Sequence, residues 1–330
     1  MFETCATPRL FTVPPGVDFP RAVIDGLIDR LGDQPPEALA RVELFVNTRR
    51  MQRRMAAILD EGPARLLPRI RLITDLGAGP WPGLPPAVPP LRRRLQLAQL
   101  VAGLLDAQPD LAPRSAIFDL ADSLAALMDE MQGEGVSPDA LEALDVADSS
   151  GHWQRSLAFV NLVERHVGPE GDDRPDPEAR QRRVAEALAA RWQDRPPEHP
   201  VIVAGSTGSR GATALFMKAV AQLPNGAVIL PGFDTDMPEK VWAGLTDAMT
   251  GEDHPQFRFA RLMQELGLSP RALAAWHAAP APSPARNRLI SLALRPAPVT
   301  DQWMEEGPRL DGIPDATARM TLIEASSARE

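Results

Sequence analysis

Val201-Ile202-Val203-Ala204-Gly205-Ser206-Thr207-Gly208-Ser209-Arg210-Gly211 opens the stretch that decides the fold. Its first four residues are apolar and three are β-branched, the pattern of a strand buried on both faces. The glycine-rich turn leads into a helix whose apolar stripe is Leu215, Phe216, Ala219, Val220 and Leu223. Asn225 and Gly226 then turn the chain into a second strand, Ala227 to Leu230. Strand, helix and strand at this spacing form a βαβ unit, and such a unit implies a parallel sheet.

The same alternation occurs at the start of the chain. Leu10 to Val13 reads as a strand, Phe19 to Leu31 as a helix, Val42 to Val46 as a strand, Arg49 to Leu59 as a helix and Leu66 to Leu72 as extended. Ala78 to Pro90 then places six prolines in thirteen residues, which excludes helix and interior strand and marks a linker or boundary. Beyond it, Leu91–Leu105, Ser115–Met131, Pro138–Leu144, Trp153–Val167 and Pro177–Trp192 carry helical periodicity without a convincing strand. After the βαβ unit come polar loop sequence, a helix from Pro255 to Leu266 and a short helical piece around Leu273. A Pro-rich joint, a helix from Pro284 to Leu294 and a last strand, Met320 to Glu324, complete the reading. The expected class is therefore α/β: one parallel-sheet domain split by an all-helical insertion. Its parts are residues 1–87, the insertion 88–195, and 196–318.

Composition narrows the function. The 330 residues are 44% hydrophobic and 24% charged, the make-up of a soluble globular protein. No apolar run approaches the roughly 18 residues that a membrane span needs. The first ten residues lack a basic region followed by an apolar core, so a cytoplasmic location is expected. Cys5 is the only cysteine, which rules out an intrachain disulfide and any cysteine-built zinc or iron-sulfur site within this segment. The net charge of −9 is unevenly spread. Residues 41–94 hold eleven Arg against four acids, a net of +7, while residues 119–150 hold nine acids and no base.

Local chemistry points to an anion rather than to catalysis. The first strand-to-helix turn, Pro14-Pro15-Gly16-Val17-Asp18, sits where a phosphate-binding loop would sit. It lacks the glycines, the Lys and the hydroxyl which that chemistry needs. The Gly205, Ser206, Thr207, Gly208, Ser209 loop, continuing through Arg210 to Gly211, offers N–H groups and hydroxyls at the start of a helix. It is a candidate anion loop or a plainly capped turn. Its glycine spacing matches neither the dinucleotide nor the P-loop pattern. In the helix opened by Thr48, Arg49, Arg50, Arg53 and Arg54 span about 140° of arc, apart from Met51, Met55, Ile58 and Leu59. A basic face directly after a strand's C-terminal end, at the customary ligand edge of a parallel sheet, suits phosphate contact. Asp234 and Asp236 read as a surface turn rather than a magnesium site, since Pro231-Gly232-Phe233 separates them from their strand. The five His share no ligand spacing, no Gly-x-Ser-x-Gly elbow is present, and the residues show no intact catalytic constellation.

Several segments resemble one family. Leu10-Phe11-Thr12-Val13-Pro14-Pro15-Gly16-Val17, Val46-Asn47-Thr48-Arg49-Arg50, Leu67-Pro68-Arg69-Ile70 and above all residues 201–209 and 223–236 are similar to the N-terminal part of AddB, in its alphaproteobacterial form. AddB is a subunit of the AddAB helicase-nuclease of double-strand break repair. The resemblance implies a RecA-like, superfamily-one helicase-like domain that has lost its motor function. It implies DNA contacts at Thr48, Arg49, Arg50 and Arg53, no cofactor in this segment, and AddA and single- and double-stranded DNA as partners. It also implies that residues 319–330 begin a further domain, and that the family's helicase-nuclease activity and reading of a hotspot sequence belong to the complete subunit. Two other readings stay open: a nucleotide- or phosphate-ligand-binding enzyme using Gly205 to Gly211 with Asp234, and a protein-interaction module docking through the acidic helical block.

Overall fold

The computed structural model describes residues 1–2, 7–137, 140 and 174–327. In chain order the main elements are β1 (Leu10–Thr12), α1 (Phe19–Leu31), β2 (Glu43–Val46), α2 (Arg49–Asp60), β3 (Arg69–Leu72), α3 (Pro90–Ala107), α4 (Ile117–Glu134) and α5 (Pro177–Asp194). There follow β4 (Val201–Ala204), α6 (Gly211–Ala221), β5 (Gly226–Leu230), α7 (Glu239–Gly244), α8 (Phe257–Leu266), β6 (Ala274–Ala275) and α9 (Pro284–Ala293). The helices expected over 138–144 and 153–167 lie outside the described residues.

The described residues form two compact units. One comprises Met1–Leu72, Pro196–Gly208 and Val220–Glu330, the other Ile73–Arg195 and Ser209–Ala219.

The first unit is the split α/β domain with a RecA-like parallel sheet. Its six strands, all parallel, run in the order β3-β2-β4-β5-β1-β6. β4 and β5, from the second half of the sequence, lie between β2 and β1 from the first half. The two halves therefore complete each other's hydrogen-bond ladders, and a central gap would leave buried N–H and C=O groups unpaired. Every residue of β4 and β5 is buried, as expected of central parallel strands covered on both faces. On one face Leu44, Val46, Ile202, Ala204, Ala227 and Ile229 pack against Val23, Ile24 and Leu27 of α1 and Met55, Ile58 and Leu59 of α2. At one edge, Arg69 and Arg71 of β3 are exposed and share the Glu43 carboxylate at 3.4 and 3.5 Å, charges that blunt an open edge.

The structure extends one expectation and corrects another. The short helical piece around Leu273 is a 3₁₀ helix, Pro270–Ala272, and it leads into an unforeseen edge strand, β6, which is too short to show a periodicity. Buried Trp276 anchors it, donating Nε1–H to the Val23 carbonyl at 3.0 Å. Met320 to Glu324 forms no strand: Leu322 and Ile323 are 96% and 80% exposed, with no neighbouring strand among the described residues to complete a ladder. The polar stretch after β5 also contains α7, whose Trp242 stacks on Phe233 at 4.7 Å.

In the second unit α3 and α4 bury Leu97, Ala98, Val101, Leu105, Ala121 and Leu124 together. The nearly buried Arg93 of α3 forms ion pairs with Asp129 at 2.8 Å and Asp176 at 2.9 Å, joining α4 and the start of α5. The Pro-rich stretch belongs to this unit. Arg180 of α5 is 2% exposed and donates to the carbonyls of Pro85 at 2.7 Å and Gly79 at 2.9 Å. Proline-rich backbone has free acceptors to spare, and a buried guanidinium fixes two of them here.

Candidate nucleic-acid interface

Val46 and Ala204 are register partners at the C-terminal ends of β2 and β4. The segments that follow them, Asn47-Thr48 and Gly205 to Ser209, therefore leave the sheet side by side. Two stretches that are separate candidates in the sequence meet at one edge.

Thr48 has extended backbone, φ −140° and ψ 152°, and its Oγ1 accepts the Met51 N–H at 3.2 Å. It is a helix N-cap. The first turn of α2 contains no acidic residue. Arg49 and Arg50 stand there instead, against the positive end of the helix dipole. Arg49, Arg50 and Arg53 are exposed and form no ion pair or hydrogen bond with the described residues. Arg54 differs: it pairs with Asp18 at 3.1 Å and Glu61 at 3.8 Å. Glu61 also accepts from Arg21, a hydrogen bond that raises the Arg21 pKa.

Gly205 has φ +80°, and a Cβ there would lie 3.0 Å from Met51 Cε and 3.1 Å from a Phe19 ring carbon. The loop after β4 thus packs directly on the starts of α1 and α2. Its N–H groups are partly consumed: Gly205 donates to the Ile229 carbonyl at 3.3 Å, and Gly208 donates to the buried Ser206 hydroxyl at 3.2 Å. Thr207 and Ser209 are exposed. At the start of α6 the anion position is already held, because the Gly211 N–H donates to Glu134 Oε1 at 2.8 Å while Arg210 pairs with Glu178. A fixed carboxylate occupies the place that a phosphate would need.

The turn between β1 and α1 is filled in the same way. Asp18 caps α1, accepting the Arg21 N–H at 3.3 Å, and its other oxygen holds Arg54. Asn287 Nδ2 donates to the Pro15 carbonyl at 3.1 Å. A second anion at this turn would face the Asp18 charge.

Asp234 is a turn former. Its Oδ1 accepts the N–H groups of Asp236 at 2.9 Å and Met237 at 3.0 Å, and Gln256 braces the same turn through the Asp234 N–H and the Gly232 carbonyl. Partial desolvation and the neighbouring Asp234 charge raise the Asp236 pKa. His199 approaches Glu43 at 3.7 Å and His277 approaches Asp29 at 3.0 Å. His254 accepts the Gln256 N–H through Nδ1 at 3.1 Å. No cluster of three or more His, Cys, Asp or Glu among the described residues could hold a metal ion. No described helix is long and apolar enough to cross a membrane.

The resemblance already set Arg49, Arg50 and Arg53 apart from Arg54, while sequence reasoning missed the partners of Arg54 and the Glu134 and Glu178 contacts. Helical arcs treat the arginines alike, and nothing near Gly211 in sequence announces a cap supplied by Glu134.

No model of a known protein family matches the chain, and no match was found among curated proteins.

Proposed function

We propose that this chain is a noncatalytic, helicase-like scaffold and DNA-binding segment of an AddB-like subunit, acting in the cytoplasm with an AddA partner in the processing of double-strand DNA ends. The observation that carries the DNA-binding part is the trio Arg49, Arg50 and Arg53, exposed and unpaired with described residues at the ligand edge of the parallel sheet. Cations at a helix N-terminus are unfavourable by themselves, and a phosphate backbone supplies the missing charge. Thr48 fixes the start of that helix. The segment needs no cofactor in this reading, and Asp18 in the first βα turn supports the absence of nucleotide chemistry.

A phosphate-ligand enzyme built on Gly205 to Gly211 has less support, because Glu134 and Glu178 already satisfy the start of α6. The test is fluorescence anisotropy with labelled oligo-dT and, separately, labelled ATP with magnesium. Salt-sensitive binding of oligo-dT that weakens when Arg49, Arg50 and Arg53 become Ala supports the proposal. Magnesium-dependent ATP binding without DNA binding overturns it.

A further inference from the structure

We infer that Arg54 is a positioning residue rather than a DNA contact, and that Asp18, in the turn where a nucleotide phosphate would sit, is the anchor through which it holds α2. This deepens the proposed function and rests on it.

Of the four arginines on the basic face, only Arg54 is engaged by described residues, and its partners come from both ends of the α1–α2 pair: Asp18 at the start of α1 and Glu61 at the end of α2. Glu61 in turn holds Arg21 of α1, so Asp18, Arg54, Glu61 and Arg21 form a chain of ion pairs between the two helices. Beneath them, Met55 and Ile58 of α2 share one buried apolar cluster with Val23 and Leu27 of α1. Directional ion pairs at the rim add a restraint on the position of α2 along α1. Asp18 belongs to the chain itself, so it holds Arg54 whether or not any nucleotide is present.

The consequence separates two kinds of arginine. Removing a side chain that touches a phosphate lowers the slope of log K against log salt by about 0.7 for single strands. Removing Arg54 leaves that slope intact but loosens α2, weakening binding by about fivefold or less, since the pairs are half-exposed.

The experiment measures oligo-dT affinity across a salt series for the wild-type chain, Arg53→Ala, Arg54→Gln and Asp18→Asn. Asn caps a helix as well as Asp does, so Asp18→Asn keeps the cap while removing the charge and the oxygen that accepts from Arg54, and it serves if Arg54→Gln fails to fold. The expected result is a reduced slope for Arg53→Ala, and an unchanged slope with lower affinity for Arg54→Gln and Asp18→Asn. A slope reduction at Arg54→Gln equal to that at Arg53→Ala makes Arg54 a direct contact and overturns the assignment. Unchanged affinity and slope in both pair variants leave the ion pairs merely structural and overturn it too. If the wild-type chain does not bind oligo-dT, the proposed function itself falls, and this assignment falls with it.

Discussion

Gly205 packs against Met51 so closely that a Cβ on the glycine would stand 3.0 Å from the methionine methyl carbon, joining a loop from the second half of the chain to a helix from the first. The basic edge is therefore built jointly by strands β2 and β4, which the helical unit separates in sequence.

Gly205→Ala tests that junction. At φ +80° an L-residue carries a backbone cost of about 1–2 kcal/mol, and the added methyl must also displace Met51 or Phe19. The variant is expected to melt several degrees lower and to bind oligo-dT less tightly. Unchanged melting, followed by circular dichroism, would mean that the loop does not need this conformation.

Arg49→Ala and Arg50→Ala should have opposite effects on stability and on binding. Removing a cation from the first turn of α2 relieves repulsion from the helix dipole, a gain of about 0.3–1 kcal/mol. Each is expected to melt slightly higher and to lose oligo-dT affinity. A fall in both stability and affinity would assign these side chains a structural role instead.

Arg180→Met should free the Pro-rich stretch. The substitution leaves the Pro85 and Gly79 carbonyls without their buried donor, a cost of about 1–3 kcal/mol for the unsatisfied acceptors. Faster cleavage of residues 78–89 by a broad-specificity protease is expected, read by mass spectrometry. A digestion pattern identical to wild type would show that the prolines alone hold this segment.

His254 gives a pH signature. Burial lowers its pKa below the ordinary 6.5, and its Nδ1 is already the acceptor for the Gln256 N–H. The unfolded chain therefore binds the proton more readily, and stability declines as pH falls below 6.5 toward the lower folded pKa. His254→Asn keeps an acceptor near the Nδ1 position and does not titrate. Between pH 7.5 and pH 5 its melting temperature is expected to fall less than that of the wild-type chain, the window following from the ordinary histidine pKa of about 6.5. Parallel declines would locate the acid sensitivity elsewhere.

Much of the sheet was legible in sequence because β4 and β5 are central strands, and full burial leaves a continuous apolar run such as Val201 to Ala204. β6 was not, since two alanines held in place by Trp276 carry no local signal of a strand. Met320 to Glu324 has strand-like composition, yet composition supplies no ladder partner. The basic face was legible as a helical arc. Its division into the unpaired Arg49, Arg50 and Arg53 and the anchored Arg54 depends on Asp18, a contact from outside the helix that periodicity does not encode. Arg180 shows the same limit: its neighbours in sequence give no hint that it is buried against Pro85 and Gly79.

The most direct measurement is the salt dependence of oligo-dT binding by the wild-type chain and by a variant in which Arg49, Arg50 and Arg53 are all Ala, each repeated with magnesium and ATP. The expected result is salt-sensitive binding by the wild-type chain, a slope lower by about 2 in the triple variant, and no response to ATP. An unchanged slope in the triple variant, or binding that switches with ATP, would contradict a nucleotide-independent DNA scaffold built on this helix.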